Sequence, residues 1–243
     1  MPHGGPDWDV TAGARTTYRW ADLDEHAARL GSIVGFDRRG DVLFLDSFEE
    51  GHYKWLIGAI GTGGSVDLSR ASPRSGVYSL RLIPGSTSSR TATAQRIWAY
   101  PILSAFGLEA SFTLHGNLQQ VNMAIFVYTG ARVWQVYGRY YHTTGELQIY
   151  VAGGAWQTIR TIANPLVSSK GYHTWKLVGD PSSGKYVRSI FDAYTDDISA
   201  YAMDAPVSAV SPELFTQVQA ISIPLNNATV YLDDVIVTQN EPV

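Results

Sequence analysis

The 243-residue chain contains no cysteine. Disulfides, thiol nucleophiles and zinc–thiolate centres are thereby excluded. Charge is scarce as well: Asp, Glu, Lys and Arg make up 16% of the residues, below the rough quarter of an ordinary soluble domain. The formal net charge of -4 argues against nucleic acid as a partner, since such a binder needs a basic field over the phosphates. No apolar run reaches the roughly 20 residues of a membrane helix, so no membrane insertion is expected. The N-terminus, Met1-Pro2-His3-Gly4-Gly5-Pro6, has no basic-then-apolar signal pattern. Signatures of catalysis are also missing. There is no Gly-x-Ser-x-Gly elbow, no phosphate loop and no His-Glu-x-x-His pair. His3, His26, His52, His115, His142 and His173 are scattered along the chain.

What is present points to strands. Apolar residues reach 45%, enough for a core, and fourteen Tyr and seven Trp suit a pleated surface. Low charge beside 12% aromatics suggests a surface covered by a partner or a ligand. Arg outnumbers Lys, and Arg favours planar, bidentate and stacked contacts.

Residues 1–20 are rich in Gly, Pro, Asp and Thr and should not fold alone. An arm of this composition is expected to lie against a neighbouring subunit. Asp22 to Leu30 predicts the one helix: Asp22 caps it, Glu25 completes a capping box and Gly31 stops it. Then the period changes to two. Residues 33–36 and 42–45 flank the polar stretch Asp37-Arg38-Arg39-Gly40, a hairpin pattern. It contains Arg39-Gly40-Asp41, which reads as a polar turn rather than an integrin motif, because a three-residue match recurs often by chance.

Strands are expected near 53–60, 64–69, 77–84, 90–98, 107–115, 121–129, 131–141, 146–152, 156–162, 172–179, 185–194, 217–224 and 229–238. A helical turn remains open around Pro212-Glu213-Leu214-Phe215. This spacing predicts an all-β, antiparallel two-sheet sandwich over residues 44–243, preceded by an N-terminal region, residues 1–43, of arm, short helix and β-hairpin.

Two signatures frame the sandwich. One is Asp46-Ser47-Phe48-Glu49-Glu50-Gly51, with Trp55 and Ser75-Gly76-Val77-Tyr78-Ser79-Leu80-Arg81-Leu82 after it. The other is Tyr231-Leu232-Asp233-Asp234-Val235. With Tyr172 to Leu177 and Asp180 between them, they resemble the jelly rolls of carbohydrate-binding modules and concanavalin A-like lectins, over roughly residues 44–238. That resemblance implies a structural calcium bridging the first and last strands through Glu49 and Asp233, with Asp234 as the alternative. Two carboxylates from distant strands would staple the sandwich through a hard cation. The alternative is that Asp233 and Asp234 end a strand facing water. The helix–hairpin order before residue 44 resembles phage or virus-like structural proteins. The Glu-x-Asp-x-x-Glu triplet of laminarinase-type glycosidases does not occur, and Tyr140, Tyr141 and His142 only echo lyase sites.

Strand parity singles out one face. Gln135, Tyr137, Arg139 and Tyr141 share a side of one strand, and Gln148 and Tyr150 share a side of the next. In 185–194, Val187 and Phe191 read as buried, leaving Tyr186, Arg188 and Tyr194 outward. Aromatics can stack on sugars while amides and charges take hydroxyls. The same residue types build subunit interfaces, and an ordinary exposed sheet face explains them too. Trp98 and Trp156 read as core residues by default. The leading expectation is a non-catalytic assembly protein, such as a capsid decoration or tail component of a virion or extracellular surface assembly. It would be a homo-oligomer or part of a larger protein assembly. The alternative is a carbohydrate-binding module or lectin with a glycan partner. A third reading is a glycan-active enzyme with an unfamiliar site.

Overall fold

The computed structural model describes residues 39–87, 90–99 and 103–243. The expected helix at 22–30, the arm and the first half of the expected hairpin lie outside them. Within them the secondary structure is all β. In chain order the strands are β1 (Asp41–Asp46), β2 (Leu56–Ile60), β3 (Ser65–Ser69), β4 (Ser79–Ile83), β5 (Thr91–Ala99), β6 (Phe106–Thr113), β7 (Leu118–Tyr128) and β8 (Val133–Tyr141). They continue with β9 (Glu146–Val151), β10 (Ala155–Thr161), β11 (Tyr172–Asp180), β12 (Lys185–Phe191), β13 (Tyr194–Asp197), β14 (Glu213–Ser222) and β15 (Val230–Gln239).

Two antiparallel sheets form. The eight-stranded one runs β13-β12-β11-β6-β15-β4-β3, with β1 also on β15, and the seven-stranded one runs β10-β9-β8-β7-β14-β5-β2. The period-two reading locates these strands well. It runs one strand over 185–194, whereas Tyr194 opens β13, in which Asp196 pairs with Ser189 and Asp197 with Arg188. The residues around Pro212 do not form a helical turn, because β14 already begins at Glu213. The alternation there is strict: Leu214, Thr216, Val218, Ala220 and Ser222 are buried, and their neighbours are not.

Between the sheets lies a core of Trp175, Tyr140, Tyr186, Phe48, Phe106, Phe112 and Phe191, with aliphatic residues around them. Gly138 explains itself here. A Cβ on it would fall 2.6 Å from the Trp175 ring, so the indole occupies the side chain's place. Outside the eight-stranded sheet, the chain end covers β11 and β12. The Glu241 carboxylate meets Lys176 Nζ at 2.7 Å and the Arg188 guanidinium, while Lys176 also donates to the Arg39 carbonyl at 3.3 Å.

The Arg39-Gly40-Asp41 tripeptide is part of this cover rather than a free hairpin tip. Gly40 has φ 85°, and a Cβ there would lie 2.7 Å from Glu241 Oε1. Asp41 accepts a hydrogen bond from Asn240 Nδ2 at 2.7 Å.

One part-buried ion pair ties the loop before β11. His173 Nδ1 lies 2.6 Å from Asp192 Oδ2 and its Nε2 lies 2.9 Å from the Leu166 carbonyl. Both ring nitrogens thus face acceptors, which suits the doubly protonated ring. Burial opposes that charge, but the bonds to Asp192 and Leu166 and the Asp192 charge outweigh it and raise the pKa.

Two outcomes follow from this packing. Gly138→Ala overpacks the core and is expected to cost about 1–3 kcal/mol, read as a lowered denaturation midpoint at unchanged slope. The folded protein holds the His173 proton more tightly than the unfolded chain does. The pair's stabilisation is therefore complete below the ordinary value of 6.5 and is lost as pH rises through the raised value. Thermal melts should show this decline, and Asp192→Asn should flatten it while keeping the acceptor for the Thr174 amide.

Candidate glycan-binding face

β8, β9 and β10 form consecutive antiparallel pairs, and β7 and β14 extend the sheet beyond β8. Their inward residues, such as Met123, Ile125, Val136, Tyr140, Leu147 and Ile149, belong to the core. Period two therefore sends the intervening residues to the opposite face. Register then sorts them into rows across the strands.

One row is aromatic. Trp156 pairs with Tyr150, and Tyr137 follows on β8, because its neighbour Gly138 pairs with Ile149. The Tyr137 ring lies 5.0 Å from Trp156 and 5.8 Å from Tyr150, and Trp156 lies 5.2 Å from Tyr150. Phe126 joins at 5.9 Å from Tyr137, and Phe215 at 5.7 Å from Phe126. The rings thus form one contact chain over five strands, in the offset and edge-on geometries that aromatic pairs prefer.

The next row is polar: Thr158, Gln148, Arg139, Asn122, Gln219 and Thr93 stand opposite one another from β10 to β5. Arg139 Nε donates to Gln148 Oε1 at 2.6 Å, and Gln148 Nε2 donates to Thr158 Oγ1 at 3.0 Å and Glu146 Oε2 at 3.1 Å. Further along, Asn122 Nδ2 donates to Gln219 Oε1 at 2.9 Å and Gln120 Nε2 to Asn122 Oδ1 at 2.7 Å. The amides are thus pre-oriented before any ligand arrives.

Burial first, opposed by the neighbouring Tyr and Glu146 charges, lowers the Arg139 pKa. Burial raises that of Tyr137. Hydrogen bonds from Gln119 and Thr143 lower that of Tyr141.

Of the residues expected on this face, Gln135, Tyr137, Arg139, Tyr141, Gln148 and Tyr150 share it. Tyr186, Arg188 and Tyr194 do not, because they belong to the other sheet. A register break at Val187 reverses parity along β12. Tyr186 therefore points into the core, and Arg188 turns to Glu241 and the Pro242 carbonyl. Tyr194 sits on the edge strand β13, with the Arg160 guanidinium 4.8 Å from its ring centroid. Trp156 was expected in the core and lies on the face instead. The alternation of Trp156 with Thr158 carried that signal, before the register break at Ile159 sets Arg160 opposite the core residue Leu147. Phe126, Phe215 and the amides of β7 and β14 were missed, since they join the face only through strand order.

The expected calcium residues meet at a single turn, but as acceptors. Glu49 Oε1 receives the Val77 and Tyr78 amides, each at 2.8 Å. Asp233 Oδ2 receives those of Arg74 and Ser75 at 2.8 and 3.3 Å. Asp234 takes the Ser75 hydroxyl and the Arg74 guanidinium, both at 2.7 Å. These aspartates sit at a register break in β15, with Asp234 at φ 51°. Burial, then the Asp234 charge, pushes the Asp233 pKa up to about 7.

Among the described residues no three His, Cys, Asp or Glu side chains gather to hold a metal. As placed, Glu49 Oε1 and both oxygens of Asp233 and of Asp234 are taken up by N–H and O–H donors, which holds the turn without a cation. Arg74 closes the staple between β15 and the 74–78 turn. Arg74→Ala is expected to cost about 2–4 kcal/mol by stranding a buried carboxylate, and chelator should leave the melting temperature unchanged. A drop on chelation would instead assign a bound cation.

No protein-family model and no curated protein sequence matches the chain. Solved structures do match. An endo-β-1,4-glucuronan lyase from the fungus Trichoderma reesei is 14% identical, covering 82% of this chain and 96% of that one, with a TM-score of 0.56. The carbohydrate esterase vb_24B_21 from the Shiga toxin-encoding bacteriophage phi24B is 15% identical, covering 83% and 100%, with a TM-score of 0.54. The chain has a jelly-roll sandwich fold. At these identities the likeness extends to the fold and no further.

Proposed function

We propose that this protein binds a polysaccharide along the outward face of the seven-stranded sheet. The carrying observation is the pairing of an aromatic row with a pre-oriented amide row across the same strands. Rings cover the apolar faces of sugars, and fixed amides take hydroxyls at low ordering cost. The two similar structures above, a glucuronan lyase and a carbohydrate esterase, are proteins that act on carbohydrate, which supports this reading over the assembly role expected first. That role rests on an arm outside the described residues.

The reading is one of binding without hydrolysis. A glycosidase needs two carboxylates about 5–10 Å apart. The face carries Glu146 and Glu213. Glu146 stands opposite Tyr141, which pairs with Gln120, and Glu213 stands opposite Tyr128. Eight residues of strand separate them, about 27 Å.

Trp156→Ala and Tyr150→Ala are each expected to weaken polysaccharide binding about tenfold, roughly 1.4 kcal/mol, in affinity electrophoresis or calorimetry, with circular dichroism unchanged. No new reducing ends should appear on incubation. A wild-type protein that binds no member of a broad polysaccharide panel overturns the proposal.

A further inference from the structure

We infer that the polysaccharide recognised by this face is anionic, bearing carboxylates or sulfates, and that Arg139 reads its charge. This rests on the glycan reading above and adds the charge class of the ligand.

Arg139 stands in the polar row on β8, next to the aromatic row. Its guanidinium carbon lies 4.0 Å from the Trp156 ring centroid and 4.9 Å from that of Tyr141. Stacking fixes its plane, and the Nε bond to Gln148 fixes its rotation. The two terminal nitrogens have no hydrogen-bond partner among the described residues. Arg74, Arg81, Arg160 and Arg188 each pair with a carboxylate, whereas Arg90 and Arg96 turn to backbone carbonyls and Arg132 lies over Trp134. Arg139 stands apart from these in lying within the amide row of the sheet face.

The nearby charge on this face does not fill that role. Glu146 is held by the Thr144 hydroxyl at 2.8 Å, the Gln148 amide at 3.1 Å and the Thr158 hydroxyl at 3.4 Å. It does not reach the guanidinium. Its effect is indirect: by taking the Gln148 amide nitrogen, it turns the Gln148 oxygen towards Arg139. Glu146 and Gln148 are thus positioning residues for the arginine.

A half-buried cation with no carboxylate in direct contact is costly, even with the Glu146 charge nearby. Here the cost is borne by a group whose free edge presents two parallel N–H donors. That edge matches two oxygens of a carboxylate or a sulfate in bidentate fashion. A neutral sugar hydroxyl satisfies one donor and leaves the charge uncompensated. The net charge of -4 means that such binding would be local and not a general attraction to polyanions.

The test compares wild-type binding to polygalacturonate, to its fully methyl-esterified form, to dextran sulfate and to neutral xylan. Tighter binding, by tenfold or more, is expected for polygalacturonate over its methyl ester, a comparison that needs no variant. The dextran sulfate arm tells whether sulfate serves as well as carboxylate. Arg139→Gln should abolish the preference for the acid over its ester, and Arg139→Lys should restore part of it. Equal wild-type affinity for the acid, ester and neutral polymers overturns the charge assignment and leaves the glycan reading standing. Binding to none of them overturns both.

Discussion

Behind the aromatic row, the Tyr186 hydroxyl reaches across the core from the eight-stranded sheet. It lies 2.6 Å from the Tyr150 carbonyl, 3.0 Å from that of Tyr137 and 3.2 Å from that of Gln135, and it accepts from the Tyr137 amide at 3.2 Å. The β8–β9 ladder ends at Gly138 and Ile149, so these backbone groups have lost their strand partners. Left unpaired in the interior they would be expensive. One buried phenol accepts from the Tyr137 amide and gives its single proton to the nearest carbonyl, that of Tyr150, and so ties β8 to β9 where they diverge. Beyond it, residues around Met203 and Asp204 bridge to Val151 and Gln135. The spacing of Tyr137 and Tyr150 on the outer surface thus depends on a residue of the opposite sheet.

The same economy appears where the chain closes. β15 runs along β6 on one side, while β4 and β1 share its other side, β4 by residues 230–232 and β1 by residues 235–239. Asp233 and Asp234 sit at the changeover. Neighbouring carboxylates there repel one another, and the 74–78 turn answers with amides, a hydroxyl and a guanidinium. Asp46 works alike at the other signature, accepting from the Phe48 amide at 3.1 Å and the Trp55 indole at 2.7 Å. The acidic positions common to both signatures act here as acceptors that hold turns.

Much of this was legible in the chain. Alternating residues placed Tyr137 and Arg139 on one side of a strand and Tyr150 on the same side of the next, because β8 and β9 form a hairpin through a short turn and local register carries over. The misreadings have separate physical origins. A single extra residue at Val187 puts Tyr186 on the same inward side as Phe191, and nothing in the local pattern announces it. Trp156 was assigned by the habit of tryptophan to be buried, when the alternation of its own strand pointed outward.

The amino-acid order by itself determined the period of two, the strand positions and the all-β class, because these follow from alternation and turn chemistry within a few residues. It also determined which side chains of β8 and β9 share a side. Only the tertiary structure decided which distant strands lie together. It brought Phe126, Phe215 and the amides of β7 and β14 beside β8, turned Tyr186 into a brace and left Arg139 without a carboxylate. Adjacency across a sheet is set by how segments a hundred residues apart bury one another, and no local pattern encodes it.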